Sequence, residues 1–167
     1  LIEGIQAGKI FPVFCGSAKQ NIGVKKLMNG IVEYLPTPYF HVAIGMDPQD
    51  GDLKERHTED AFSAQVFKTV VDPFVGRMSY LRIFSGTMKG DATYMHPNKE
   101  NAERVGTIFS LQGKRQEHLN AAEAGDIVAT TKLQSVRTGD TLCDSADPIV
   151  YEEIAYPAPM LAMAASA

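Results

Sequence analysis

Residues that carry metal or disulfide chemistry are scarce in this chain of 167 residues. Cysteine occurs twice, at Cys15 and Cys143. Two thiols so far apart make neither a metal-ligand spacing nor a disulfide framework, which points to a reducing compartment such as the cytoplasm. The four histidines, His41, His57, His96 and His118, are scattered, with no second ligand at helical i, i+4 spacing. They read as structural or surface groups rather than a metal centre. Long apolar runs are missing, which argues against a secretory signal and a membrane-spanning helix. A basic tail is missing too, and a net charge of −4 does not draw a chain to nucleic acid.

What is present is globular in composition, with 44% apolar and 22% charged residues. Glycine (14) and proline (9) run slightly above background, and many turns suit short strands better than long helices. The length allows one domain and part of a second. The chain opens at Leu1 and closes just after the apolar run Pro159 to Ala164, so both ends read as cuts in a longer protein.

Charge is segregated along the chain. From Lys68 to Arg115 there are eight Lys and Arg against four Asp and Glu, a net of +4. From Gln116 to Pro157 there are two against eight, a net of −6. Screening confines fields to roughly 8–10 Å, so a local basic surface can still hold a phosphate backbone on an acidic protein. An ordinary solvated surface explains the same charges.

Three stretches differ in pattern. Lys9 to Cys15 is a short apolar run ending at Gly16-Ser17 and predicts a buried strand entering a loop, with Cys15 as a small buried hydrophobe. Val24, Leu27, Met28, Ile31, Val32 and Leu35 recur at helical spacing, and Pro36-Thr37-Pro38 stops them. Together these are the last strand and helix of an α/β domain. Residues 39–60, with the acidic turn Asp47 to Asp52, predict an exposed mobile linker. Residues 61–156 are strand-like throughout. Alternation at Phe62, Ala64 and Val66 is followed by β-rich runs at Met78–Phe84, Arg104–Phe109 and Asp126–Thr131. Gly90-Asp91, Gly125-Asp126 and Gly139-Asp140 each adjoin an apolar run and read as turns. About six short strands separated by turns predict a mainly β fold, a small closed antiparallel β-barrel carrying a strand-helix remnant. A new strand-like segment begins in residues 157–167.

Catalytic patterns fail on inspection. Gly4 to Lys9 has three residues between its glycines and Ile10 after the lysine. A phosphate loop needs four, then Ser or Thr. Asn98-Lys99-Glu100-Asn101 ends in an amide where a guanine-reading element needs a carboxylate, and it reads as a turn. Ser17 lacks the Gly-x-Ser-x-Gly elbow of an acyl-transfer nucleophile.

Taken in order, Pro12 to Ala18, Gly23-Val24 and Tyr34-Leu35-Pro36-Thr37-Pro38 resemble the end of the GTPase domain of the elongation factor G family. Phe67-Lys68, Asp72 to Arg77, Arg82 to Lys89, Glu103 to Gly106, Ala124 to Ile127 and Thr138 to Asp144 resemble that family's second domain, in order and at its spacing. The resemblance implies a fragment of a translational GTPase that drives translocation on the ribosome. Residues 1–38 would close the GTP-binding domain, 39–60 link, 61–156 form the β-barrel domain II, and 157–167 begin domain III. It implies GTP and Mg²⁺ for the full-length parent and neither for this fragment, whose phosphate loop, switch and Asn-Lys-x-Asp elements are missing. Gly16, Ser17 and Ala18 would be the remnant of a guanine loop. Their smallness allows close backbone approach to a flat base. In this fragment an ordinary strand-to-helix turn with Ser17 or Asn21 as N-cap is the better explanation, because the other four nucleotide elements are absent.

The partners implied are the ribosome with its small-subunit RNA, the protein's own GTPase domain and domain III, and no membrane. Arg77, Lys89, Lys99, Arg104, Lys114 and Arg115 form the candidate RNA-binding patch. Ser110 to Gln116 and Ala129 to Leu133 depart from the housekeeping factor, the latter standing where a Val-Gly-Leu-type ending is usual. Both look more like an elongation-factor-G-like paralogue, with ribosomal protection proteins a more distant fit. An autonomous enzyme, or a barrel with an unrelated protein partner, are the competing readings.

Overall fold

A computed structural model describes residues 1–72, 76–113, 115–158, 160 and 164. The chain divides into two compact units, Leu1–His41 and Val42–Ala167.

In the first unit, α1 (Ile2–Gln6) and α2 (Val24–Tyr34) flank an extended segment. Gly8 closes α1 with a positive φ of 67°, so the near-match to a phosphate loop is a short helix and turn. The helix predicted from Val24 forms. Its N-cap is Gly23 in the left-handed conformation, with no side-chain cap, not Ser17 or Asn21. The strand predicted at Lys9–Cys15 does not form. No neighbouring strand among the described residues offers it a ladder, and Phe11 and Val13 are 79% and 88% exposed. Cys15 is exposed rather than buried. On α2, Met28, Ile31 and Val32 also lie exposed.

The second unit is antiparallel β, as the composition predicts. Residues 39–60 are not a mobile linker: β1 (Ala43–Met46) and β2 (Leu53–Arg56) pair as a hairpin. The acidic stretch Asp47–Asp52 is its turn, tied by Asp47 Oδ1 accepting the Gln49 N–H and Asp50 Oδ1 accepting the Asp52 N–H. Backbone bonds in both directions between Met46 and Val150, each 2.8 Å, attach the hairpin to the far end of the unit.

The main strands are β3 (Ser63–Asp72), β4 (Gly76–Ser85), β5 (Thr87–Lys89), β6 (Thr93–His96), β7 (Asn101–Arg104), β8 (Ile108–Gln112), β9 (Arg115–Leu119), β10 (Ala121–Glu123), β11 (Ile127–Thr131) and β12 (Thr141–Cys143). Eight pair in the order β7-β6-β12-β3-β4-β11-β8-β9, and β5 with β10 makes a separate ribbon. The barrel predicted from the sequence is therefore not closed by a ladder among the described residues, where β7 and β9 are free edges. The sheet nevertheless wraps one core. Val66, Leu81, Ile83, Ile108, Val128 and Leu142 are buried together, and Tyr94 of β6 and Leu119 of β9, near the sheet's two ends, pack on the same cluster. Burying each such side chain contributes about 1.5–3 kcal/mol.

The Gly-Asp turns form with a division of labour. Gly125 and Gly139 take φ of 96° and 100°. The carboxylates of Asp126 and Asp140 each accept the N–H three residues upstream, at 3.0 and 2.7 Å. At Gly90-Asp91 the aspartate itself carries the positive φ, 54°. The strand predicted at Arg104–Phe109 breaks, because 105–107 lie outside any strand, between β7 and β8. Of the predicted final segment, residues 159, 161–163 and 165–167 lie outside the described residues, and 157–158 are not in a strand.

Candidate functional site

Gly16, Ser17 and Ala18 open a tight loop in the first unit. Ser17 and Ile22 exchange backbone hydrogen bonds at 2.9 and 3.0 Å. Ser17 Oγ accepts the Gln20 N–H, and Asn21 turns the chain with a φ of 55°. A Cβ on Gly16 would meet the Ile22 carbonyl at 2.6 Å, and one on Gly23 the Cys15 carbonyl at 2.7 Å. Only glycine permits this backbone crossing. Beside it lies an open cavity of about 230 Å³ floored by Phe14, Val24 and Leu27 and rimmed by residues 15–18. Backbone polar groups on an apolar floor suit one edge and one face of a flat base. No group of His, Cys, Asp and Glu that could hold a cation occurs among the described residues.

The basic positions divide into two kinds. Arg77, at the start of β4, donates from Nη2 to the Val136 carbonyl at 2.6 Å. Lys99, in the short 3-10 turn Pro97–Lys99, donates to the Ser135 carbonyl. Both cations are spent holding residues 135–136. Lys89, Arg104 and Arg115 are exposed at strand ends, and their side chains make no hydrogen bond or ion pair among the described residues. Lys114 lies outside the described residues. Of the six positions, two are tied to carbonyls of their own chain and three carry no such tie among the described residues.

Residues 134–136 are held from several directions. The Glu103 carboxylate, buried on β7, accepts the N–H groups of Gln134 and Ser135, at 2.5 and 3.3 Å, and the Ser135 hydroxyl at 2.5 Å. Burial pushes this carboxyl up, but the hydrogen bonds from Ser135 and Gln134 outweigh it and leave it below the usual carboxylate range. Asn101 Nδ2 donates to Ser135 Oγ at 3.2 Å. Buried His96 completes the cluster. Its Nδ1 is 3.3 Å from Ser135 Oγ, and its Nε2 is 3.0 Å from Asp140 Oδ2, too poorly aligned for a hydrogen bond. These contacts and its burial fix His96 within the β unit. Asn98-Lys99-Glu100-Asn101 is a turn, also as predicted, with Glu100 left-handed.

One surface feature escaped the sequence reading. Arg104, Asp91, Gly106, Thr107, Thr131 and Lys132 line an open polar cleft of about 340 Å³, with Gln134 at its edge. Lys132 belongs to the acidic segment by sequence, yet shares the cleft with a cation of the basic one. The only sequence signal was the departure at Ala129–Leu133.

Comparison with known proteins is consistent across three kinds of match. The family model for elongation factor G domain 2 matches residues 61–145. Elongation factor G of Dehalococcoides mccartyi strain BAV1 is 42% identical over 161 residues, which is 95% of this chain and 23% of that protein. The counterpart from strain CBDB1 gives the same figures. A solved crystal structure from Thermus thermophilus aligns with a TM-score of 0.66 at 27% identity, covering 87% of this chain and 20% of its own. The chain spans about a quarter of the length of the curated relatives it matches. No helix among the described residues is long and apolar enough to cross a membrane.

Proposed function

The chain belongs to the elongation factor G family, and from that membership we propose that it is the ribosome-docking segment of a translational GTPase. The β unit serves as domain II and meets small-subunit ribosomal RNA through cations the fold leaves unspent. The observation that carries this reading is the contrast between Arg77 and Lys99, consumed by carbonyls of their own chain, and Lys89, Arg104 and Arg115, which have no internal partner among the described residues. Cations without internal partners are available to phosphates. The long parent binds GTP with Mg²⁺. Gly16, Ser17 and Ala18 form the base-facing edge of that site, and residues beyond this chain hold the phosphates and the metal. Residues 1–38 then close the nucleotide domain, and 157–167 lead into domain III. The protein works in the cytoplasm.

Small-subunit binding measured across a salt series tests the proposal. Affinity should fall linearly in log–log form as salt rises, because each phosphate contact releases counterions. Joint Lys89→Glu and Arg104→Glu substitution should remove most of the binding. Unchanged binding in that variant would sink the patch assignment. GTP hydrolysis by the isolated chain would overturn its assignment as a binding segment.

One observation favours a paralogue over the main translocase. Lys132 holds a left-handed backbone conformation, φ 67°, within the stretch Ala129–Leu133 that stands where a Val-Gly-Leu-type ending is usual. Failure of the full-length parent to replace a host's elongation factor G, despite ribosome binding, is the outcome this version requires.

A further inference from the structure

The cleft beside Arg104 is unusual in its backbone as well as its charges. Two residues in its lining are non-glycine residues with positive φ: Asp91 at 54° and Lys132 at 67°. Aspartate tolerates this conformation and is pinned there by its N–H to the Gly106 carbonyl at 3.1 Å. Lysine does not favour it, and glycine would sit there without strain. A side chain kept at a backbone cost marks a position where the side chain has work to do. Lys132 makes no side-chain hydrogen bond or ion pair among the described residues, and neither does Arg104, which lines the same cleft.

Two unpaired cations call for an anion, but Asp91 on the same rim rejects a ligand that presents acceptors alone. The three groups together suit a ligand with a phosphate and an adjacent hydroxyl donor. A ribose-phosphate unit has that chemistry, and its deoxyribose counterpart lacks the donor. We propose that this cleft is a ribonucleotide site, in which Arg104 and Lys132 take a backbone phosphate and the Asp91 carboxylate accepts the neighbouring 2′-hydroxyl. The proposal rests on the RNA-docking reading above and goes beyond it in naming Lys132 and Asp91 and in assigning a preference for RNA over DNA. Thr107 and Thr131 supply further hydroxyls in the same lining.

The test is fluorescence anisotropy of the 167-residue chain with a short single-stranded oligoribonucleotide and the deoxyribonucleotide of the same sequence, at low salt, with inorganic phosphate as competitor. RNA should bind about three- to tenfold tighter than DNA, the range that one hydrogen bond supplies. Asp91→Gly, which removes the acceptor and is at ease in the left-handed conformation, should erase that preference without weakening DNA binding. Lys132→Gly relieves the backbone and therefore keeps the fold, which a thermal melt verifies. It should weaken RNA binding while leaving the preference intact. Lys89→Glu, outside the cleft, should weaken both ligands equally. Equal affinity for RNA and DNA in the wild type, or Lys132→Gly binding RNA as the wild type does, overturns the cleft while leaving small-subunit docking standing. Displacement of RNA by equimolar phosphate would show an anion site without ribose recognition and would also overturn it. Loss of binding to both oligonucleotides and to small subunits would sink the docking reading, and the cleft with it.

Discussion

Arg56 and Asp147 stand 91 positions apart, and one guanidinium holds two oxygens of the other residue. Nη1 donates to the Asp147 carboxylate and Nη2 to its carbonyl, both at 2.5 Å. Arg56 is 3% exposed, at the end of the hairpin that the sequence presents as a linker. Lys54 adds bonds to the same carboxylate, to Asp47 and to the Pro148 carbonyl. Breaking a buried ion pair from one side costs about 3–5 kcal/mol, and the partial exposure of Asp147 reduces that figure here. Arg56→Met is expected to destabilise the β unit by about 2 kcal/mol. Urea unfolding measures the loss, and limited proteolysis should cut first within residues 43–56.

The same pair gives the protein an acid limit. Hydrogen bonds from Arg56 and then Lys54 hold the Asp147 carboxyl down at about 2, below its ordinary 3.8. A folded-state value depressed below the unfolded one contributes stability that is complete above the unfolded value. That contribution is lost as pH falls through the folded value. Stability should therefore be level down to about pH 4 and drop between about pH 4 and 2. Glu103, also held low, steepens the fall. Denaturant midpoints across that range measure it. Asp147→Asn should lower the plateau and flatten the slope, and an unchanged slope would refute the assignment.

Glu103 is the side-chain acceptor for three donors of residues 134 and 135. Glu103→Ala leaves two backbone N–H groups and a hydroxyl facing a void, and each unsatisfied buried group costs about 1–3 kcal/mol. A loss of about 3 kcal/mol is expected, less where water enters. Hydrogen exchange should accelerate at Gln134 and Ser135 before it does in β3 or β4.

Gly23 takes a φ of 76° directly beneath the Cys15 carbonyl. Gly23→Ala combines backbone strain with a steric clash, so the crossing at residues 15–23 should open. A shifted amide resonance for Ser17 and Ile22, with the β unit's spectrum unchanged, is the expected signature. Unmoved resonances would show that the loop absorbs the methyl group.

The core strands could be read from the sequence because their burial alternates locally. Phe62, Ala64 and Val66, then Leu81 and Ile83, announce inward faces without reference to any partner. The helix at Val24 was legible for the same reason. The failures all involve partners far along the chain. Lys9–Cys15 has the composition of a strand but no ladder to join. The hairpin at residues 43–56 exists through Asp147 and Val150, which local patterning does not connect to it. Two expected patch members, Arg77 and Lys99, are diverted to residues 135 and 136, an attraction invisible in a charge count. Lys132 was hidden by its acidic neighbours in sequence, although space gives it Arg104.

The bridge between Met46 and Val150 bears on how the β unit responds to force. It joins the first strand of the unit to a point beyond the last, where Tyr151 and Glu152 bond to Ser63, Gln65 and Thr141 of the main sheet, so a pull on Val42 loads these two hydrogen bonds and the Arg56–Asp147 pair against the sheet as their anchor. The unit should yield in two steps under load, with the clasp as a mechanical fuse that releases the hairpin while the sheet stays intact.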